Sequence, residues 1–209
     1  MMGSWLRVCV IRRSSGSCRC RRWSNFEVER AWLMTVANRK TVSGFLHVSW
    51  RTAGAVARRV AERVKASMSS PFDGLTAVGV DGTGYRKGHA YLTVVVDHER
   101  HRVIWAHDGV GGDVFDLFFK ALTPEQRASI KVVAGDGARW IDSCVGRWCP
   151  NAERVPDRFH IVSWMSDAPD NRIKVTIRMA YGFRHVDNLI ALVMLRCGGL
   201  DIRLPQPRT

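Results

Sequence analysis

An α/β fold, in which a mixed sheet is flanked by helices and preceded by a small helical region, is the class that this sequence predicts. Three runs between residues 75 and 108 are rich in β-branched residues and are separated by short turns, as consecutive strands are. After them, stretches with apolar residues at helical spacing alternate with further short apolar runs. The chain is 46% hydrophobic and 24% charged, which is typical of a globular protein.

The first part of the chain is strongly basic. Residues 1–75 contain 14 Lys and Arg against four acidic residues, so they carry about +10 of the net charge of +13. Residues 1–25 hold six arginines and no acids, which favours a loose basic arm. This distribution suits a polyanion such as DNA or RNA, and a merely basic surface is the alternative.

Two short helices joined by a tight turn are predicted within residues 26–68. Before them, Val36 lies at helical spacing with earlier apolar residues, and Thr41 is placed to cap a helix that carries Phe45. The second helix starts near residues 49–52. Its buried positions are Ala53, Val56, Val60 and Val64, and its candidate DNA-binding positions are Arg51, Arg58, Arg59 and Arg63. The pair fits a helix-turn-helix, with an ordinary helical hairpin as the alternative.

The region after the linker 69–75 supplies an antiparallel meander. Its strands are predicted in "LTAVGVD", which ends on Asp81, in "AYLTVVVD" and in "HRVIWAHD". A helix follows in "GGDVFDLFFKAL", with Asp113 as its candidate cap. Its predicted apolar face consists of Val114, Leu117, Phe118 and Ala121.

A second group of elements completes the predicted order. "TPEQ" is typical of a helix start with a capping box. "IKVVAGD" predicts a fourth strand ending on Asp136, "GARWIDSCVGRW" a helix, and "AERVPDRFHIV" a fifth strand that carries Asp157. The order strand, strand, strand, helix, strand, helix, strand is that of the ribonuclease-H-like fold.

Two aspartates gain a possible function from that order. In the ribonuclease-H-like fold the first and fourth strands are central neighbours, so Asp81 and Asp136 would lie close together. Two ionised carboxylates repel each other unless a cation lies between them. A pair of Mg²⁺ ions about 4 Å apart would relieve this repulsion, polarise a phosphodiester and activate water or a 3′-hydroxyl. Aspartates that merely cap loops or face solvent are the alternative.

Zinc and a membrane are not expected as partners. Cys18 and Cys20 form a C-x-C without a second pair at zinc-ribbon spacing, so no zinc site is predicted. Without an export signal the six cysteines are expected to be reduced. The late apolar run "LIALVML" has seven residues, against about 20 for a spanning helix.

Several stretches resemble the transposases of the ISL-three family of bacterial insertion sequences. The resemblance to the catalytic part is carried by "VGVDGTGYRKGHAYLTVVVDHERHRVIWA" and "VVAGDGARWIDSCVGRWCPNAERVPDRFHIVSWMSDA". The family's helix-turn-helix region is similar to "FEVERAWLMTVANRKTVSGFLHVSWRTAGAVARRV", and its C-terminal segment to "NRIKVTIRMAYGFRHVDNLIALVMLRCGG".

This resemblance implies a DDE enzyme, a polynucleotidyl transferase. Such an enzyme would bind double-stranded DNA at the terminal inverted repeats of its element, and cut and rejoin it with two Mg²⁺ (or Mn²⁺) ions. Asp81 falls on the first catalytic aspartate and Asp136 on the second, both as metal ligands. We also expect a bacterial cytoplasmic protein associated with the nucleoid, with a second copy of the chain as a further candidate partner.

Other residues take accessory roles by the same resemblance. Asp157 in "PDRFH" matches an accessory acidic position, with a loop-capping aspartate as the alternative. His160 would lie near the acidic cluster, with a hydrogen-bonded structural histidine as the alternative. Arg86 and Lys87 follow Asp81 and could approach phosphates, or form a solvated hairpin tip.

The sequence also departs from the family pattern. The family's zinc-binding N-terminal region is absent from the basic arm, Gly82 replaces a residue that is often acidic, and family chains are about twice as long. The missing part lies between "SDA" (166–168) and "PDNRIK" (169–174). Asp167 falls where the family has its third acid, a glutamate, unless "WMSDA" is simply the helix after "DRFH".

These departures lead to the hypothesis of an internally shortened, catalytically impaired copy. In such a copy the short link would keep the final helix from docking on the sheet, and the fold would be incomplete. A DNA-binding relic or repressor of transposition without catalytic activity is the alternative. The predicted division of the chain is a basic arm, a helix-turn-helix region, a linker, a partial catalytic core and a C-terminal helical segment, at 1–25, 26–68, 69–75, 76–168 and 169–209.

Overall fold

A mixed sheet forms the centre of the molecule in a computed structural model, which describes residues 32–37, 39–67, 70–86, 88, 90–156, 176–177 and 185–199. The strands are β1 (Ala77–Arg86), β2 (Ala90–Asp97), β3 (Arg102–Asp108), β4 (Val132–Gly135) and β5 (Glu153–Pro156). Their order in the sheet is β3-β2-β1-β4-β5. The central strand β1 runs antiparallel to β2 and parallel to β4. The predicted ribonuclease-H-like arrangement, with the first and fourth strands as neighbours, is confirmed.

Helices cover both faces of the sheet. In chain order they are α1 (Arg39–Leu46), α2 (Trp50–Ser67), α3 (Gly112–Lys120), α4 (Pro124–Ser129), α5 (Arg139–Trp148) and α6 (Val186–Cys197). Since both faces are covered, β2 is buried along most of its length, from Leu92 to Asp97. No helix in the described part of the chain is both long and apolar enough to cross a membrane.

The strand β1 does not end on Asp81. It continues for five more residues to Arg86, because β2 pairs with it antiparallel from Val78 to Arg86. Gly82 keeps the register of this ladder, and a bulge of one residue follows Gly84, after which Arg86 pairs with Ala90. The prediction of a strand ending on the aspartate is therefore wrong, and the β1–β2 turn lies after Arg86.

One apolar core, called here the α3–α5 core, lies between the sheet and helices α3 and α5. Phe115, Phe118 and Phe119 of α3 are fully buried in it, whereas Leu117 is 41% exposed. The predicted face of α3 is therefore wrong apart from Phe118. Asp113 is not the cap either, because Gly111 occupies the N-cap position without a side-chain hydrogen bond.

The capping box before α4 is confirmed. The Thr123 hydroxyl accepts a hydrogen bond from the Gln126 backbone N–H at 3.2 Å, and the Gln126 side chain accepts one from the Thr123 N–H at 3.0 Å. Pro124 occupies the first turn of the helix, where it removes no intrahelical hydrogen bond.

A second core, called here the α2–α6 core, lies on the other face. The predicted start of α2 is confirmed, because the Ser49 hydroxyl accepts a hydrogen bond from the Thr52 N–H at 3.1 Å. The predicted burial of Ala53, Val56 and Val60 is also confirmed.

The predictions for the preceding helices fail in three places. Thr41 is the third residue of α1 and does not cap it, because the helix begins at Arg39. Val36 is 55% exposed and Phe45 is 72% exposed, while Met34 is fully buried. Helical spacing identified apolar residues but could not identify which of them the core covers.

The final helix α6 docks on the sheet, contrary to expectation. Leu189, Leu192 and Val193 of this helix belong to the same buried cluster as Val94 and Val103 of the sheet. Helix α2 packs against α6 in this cluster too. The apolar residues of α6 are thus covered by the sheet and by α2.

Candidate functional site

The two predicted catalytic aspartates lie just beyond the end of the ladder that joins two neighbouring strands. The last register pair of the parallel β1–β4 ladder joins Val80 to Gly135. Asp81 and Asp136 each follow one residue later. Since neighbouring strands are about 4.8 Å apart, their Cα atoms are close despite their separation in the sequence.

The register also indicates the face on which the two carboxylates lie. Asp81 is paired with Val94, which belongs to the α2–α6 core, so both side chains lie on that face. Val80 belongs to the α3–α5 core on the opposite face. Continuing the alternation past Gly135 puts Asp136 on the same face as Asp81.

A local hydrogen bond orients each of the two carboxylates. The Thr83 hydroxyl, two residues further along β1, donates to Oδ2 of Asp81 at 3.1 Å. Oδ1 of Asp136 accepts a hydrogen bond from the backbone N–H of Ala138 at 3.1 Å, which closes a tight turn before α5. Both aspartates are half-buried.

Glycine at position 135 permits the close packing beside Asp136. A Cβ atom there would lie 3.0 Å from side-chain atoms of both Val80 and Ile141, and 3.1 Å from the Val80 carbonyl oxygen. At position 82 a Cβ atom would lie 2.9 Å from Val110. The steric contact with Val110 therefore gives a packing reason for Gly82, one of the departures from the family pattern.

Arg154 of β5 was missed by the sequence reasoning. Its guanidinium donates to the backbone carbonyls of Asp136 and Gly135, the latter at 3.3 Å. Its Nε donates to Oδ1 of Asp142 on α5 at 2.9 Å. No sequence signal pointed to this residue, because an arginine in a short strand reads as an ordinary solvated position.

The ligand atoms available at this site are of the chemical type that a hard divalent cation prefers. Carboxylate oxygens are the ligands that Mg²⁺ prefers, and the register brings two of them to one place. The described residues contain no group of three or more His, Cys, Asp or Glu side chains that could hold a metal ion. A third protein ligand would have to come from outside the described ranges.

Several predicted site residues lie outside the described residues. These are Lys87, Asp157, His160 and Asp167. The join at Ala168–Pro169 lies outside the described residues too. The accessory and third-acid roles assigned to them stay predictions. Arg86 is described, and it is exposed at the far end of β1, five residues beyond Asp81.

The four candidate DNA-binding arginines of α2 are on its solvent side. All of them are exposed: Arg51, Arg58, Arg59 and Arg63. The Arg58 guanidinium lies 3.9 Å from the carboxylate of Asp187 on α6 and 4.0 Å from that of Glu62, and both distances are long for an ion pair. The helix thus presents a cationic face while its other face is buried.

Comparison with known proteins identifies the family of the sheet region. The model of the ISL-three DDE family, described as a transposase, matches residues 78–171. The transposase for insertion sequence element IS1557 of Mycobacterium tuberculosis, in strains CDC 1551 / Oshkosh and H37Rv, is 37% identical over 145 residues. That match covers 69% of this chain and 32% of the relative. The transposase for insertion sequence element IS1001 of Bordetella parapertussis is 29% identical over 144 residues, covering 68% of this chain and 35% of the relative.

The chain thus spans about a third of the length of the curated relatives it matches. Among solved structures, the catalytic core domain of BIV integrase matches with a TM-score of 0.36 and 14% identity, over 58% of this chain and 83% of that one. So weak a likeness adds nothing to the fold assignment, which rests on the strand order. The family match includes both Asp81 and Asp136, and residues 78–171 are thus similar to the ISL-three family of insertion-sequence transposases.

Proposed function

We propose that this chain carries the site of a DDE transposase, a polynucleotidyl transferase acting on double-stranded DNA at the terminal inverted repeats of its element. The observation that supports this proposal is the position of Asp81 and Asp136. Each follows the last register pair of two neighbouring parallel strands, Val80 with Gly135, so the two acids lie side by side where this ladder ends.

The side chains of the proposed site have distinct roles. The carboxylates of Asp81 and Asp136 would hold Mg²⁺ or Mn²⁺, which when bound would polarise a phosphodiester and activate water or a 3′-hydroxyl. Thr83 orients the first carboxylate through its hydroxyl, and the Ala138 amide orients the second. Arg86 would approach DNA phosphates from the end of β1.

Accessory roles are proposed for four further residues. Asp157 and His160 would lie beside the acidic pair, and Lys87 would contact phosphates together with Arg86. Asp167 would stand in for the third acid of the family. It is one methylene shorter than glutamate, and a misplacement of about 1 Å can cost about 10²-fold in catalysis.

The proposed function includes impaired catalysis in a shortened copy. We expect the purified chain to bind Mn²⁺ but to cleave DNA carrying the ends of its element no faster than an Asp81→Asn/Asp136→Asn double variant. Mn²⁺ binding is measured by titration, and cleavage and strand transfer on labelled DNA with Mg²⁺ or Mn²⁺. The double variant should lose Mn²⁺ binding.

Asp108→Asn is a matched control for this experiment. Asp108 is the last residue of β3, which lies two strands away from β1. Its carboxylate accepts a hydrogen bond from the Tyr85 hydroxyl at 2.9 Å. It should leave Mn²⁺ binding unchanged. Robust turnover that disappears in Asp81→Asn and Asp136→Asn would refute the impairment, and Mn²⁺ binding that survives in the double variant would refute the metal site.

A DNA-binding protein without catalytic activity is the second candidate. It is favoured by the exposed arginines of α2. Removing residues 1–75 would not test it cleanly. Helix α2 buries Ala53, Val56 and Val60 in the α2–α6 core, so the truncation would also expose this core.

Point substitutions separate DNA binding from folding. Arg59→Ala and Arg63→Ala should each weaken binding to inverted-repeat DNA and reduce the slope of log affinity against log salt by about 1. Fluorescence anisotropy at several salt concentrations measures both quantities. Lys131→Ala is the control, because Lys131 is exposed just before β4, at the other end of that strand from Asp136. Equal effects of all three substitutions would contradict a binding face on α2.

A further inference from the structure

The guanidinium of Arg154 contacts three different segments around the end of β4. It donates to the carbonyls of Gly135 and Asp136 in the chain leading to α5. It donates to Asp142 on α5 itself at 2.9 Å, and it projects from β5. Its side chain is only 17% exposed, so these contacts are made largely away from solvent.

These contacts lie where the described β4–β5 ladder ends, at the register pair of Gly135 with Pro156. Within the ladder, Glu153 donates its N–H to the Lys131 carbonyl at 2.7 Å, so every second residue of β5 directs its N–H at β4 and Pro156 is not one of them. Beyond this end, the planar guanidinium of Arg154 offers several donors at fixed angles to the carbonyls of Gly135 and Asp136.

We propose that Arg154 is a positioning residue that holds the carboxylate of Asp136 in place by fixing the backbone of residues 135 and 136. The inference rests on the proposed metal-binding function of Asp136. Arg154 reaches no carboxylate oxygen of Asp136. It fixes the residue's own carbonyl, and the turn through the Ala138 amide then sets the direction of the side chain.

The Ala138 amide provides a direct readout of this positioning. Its N–H donates to Oδ1 of Asp136, so its hydrogen exchange reports how firmly the carboxylate is held. In Arg154→Gln we expect the Ala138 amide to exchange about tenfold faster, measured by nuclear magnetic resonance. Mn²⁺ affinity should fall by about tenfold or more, the usual effect of removing a residue that orients a metal ligand.

Two further variants separate positioning from stability. Arg147→Gln removes another arginine, one that pairs with Asp116 at 2.6 Å away from β4. It should lower stability without changing Mn²⁺ affinity or the relative protection of the Ala138 amide. Arg154→Lys keeps a positive donor group and should restore part of both signals.

The outcomes distinguish this inference from the proposed function. Unchanged Ala138 exchange in Arg154→Gln, with Mn²⁺ binding still lost in Asp136→Asn, would overturn the positioning role alone. Exchange that accelerates evenly over the sheet, in Arg154→Gln and Arg147→Gln alike, would overturn it as well. Absence of Mn²⁺ binding in the unmodified chain would contradict the metal site, while Ala138 exchange would still decide whether Arg154 holds this turn.

Discussion

Asp116 is a buried residue whose neighbours set the pKa of its carboxyl group. Its carboxylate on α3 accepts hydrogen bonds from two residues of α5, from Arg147 at 2.6 Å and from the indole N–H of Trp148 at 2.7 Å. Burial alone would raise the pKa of this carboxyl group. The hydrogen bonds from Trp148 and Cys144 and the charge of Arg147 outweigh burial, so the pKa of Asp116 lies below its ordinary value. One residue thus joins two helices of the α3–α5 core.

The lowered pKa predicts how stability changes with pH. Because the folded state holds Asp116 ionised, its contribution is complete above the unfolded pKa of about 3.9 and is lost as pH falls through the folded pKa. At pH 7 we expect Asp116→Asn to lower the free energy of unfolding by about 2 kcal/mol. Urea unfolding at pH 7 and pH 3 should show a smaller difference between variant and parent at pH 3.

Asp113→Asn is the control for this pH effect. Asp113 is exposed in the first turn of the same helix, where a carboxylate contributes less than about 1 kcal/mol through the helix dipole. A loss in Asp116→Asn that is as large at pH 3 as at pH 7 would show that packing, and not the ionised hydrogen bonds, stabilises this contact.

At the scale of elements, α3 shows how a helix can be recognised while its orientation is not. Its sequence "GDVFDLFFK" has more apolar residues than one face can hold, so more than one stripe has helical spacing. The structure buries the stripe with Phe115, Phe118 and Phe119, whose rings contact one another with centroids 4.7–5.9 Å apart. Aromatic rings bury more area than Leu117 and Val114, so they take the core side.

Two substitutions on α3 test that orientation. Phe118→Ala should lower the free energy of unfolding by about 3–5 kcal/mol, because it removes a fully buried ring. Leu117→Ala should change it by no more than about 0.5 kcal/mol, because that side chain is 41% exposed. Chemical denaturation of both variants measures the difference. Similar losses of unfolding free energy in both variants would contradict an orientation of α3 that buries Phe118 and exposes Leu117.

At the scale of the whole molecule, the helices before the sheet and the helix after it share one core. Helix α2 and helix α6 come from opposite ends of the described chain, and both contribute to the cluster that covers β2 and β3. The proposed DNA-binding helix is therefore attached through its buried face to the same sheet that carries Asp81. We expect these parts to unfold in one cooperative transition.

Leu192 tests the cooperative core. It is fully buried in α6, so Leu192→Ala should lower the free energy of unfolding by about 2–5 kcal/mol. Helical and tryptophan signals should shift together along the denaturant axis. Asp187→Ala on the same helix is the control and should cost less than about 1 kcal/mol, since its side chain is 64% exposed and its pair with Arg58 is 3.9 Å long. Two separate transitions would contradict a shared core.

The order of the elements, the ends of β2 and the capping box at Thr123 could be predicted from the sequence, because they depend on periodicity, turn residues and local capping chemistry. The meeting of Asp81 with Asp136 could be predicted only through the ribonuclease-H-like order of the elements, since β1 and β4 are not consecutive in the chain. The family resemblance added the proposed roles of the two acids.

The remaining features depend on contacts between residues that are distant in the sequence. The extension of β1 past Asp81 depends on pairing with β2, and the face of α3 depends on which side chains the sheet can cover. The docking of α6 depends on an apolar surface built by α2 and the sheet, which no local pattern describes. The contacts of Arg154 join residues brought together from β4, α5 and β5, and such contacts exist only after the strands have paired.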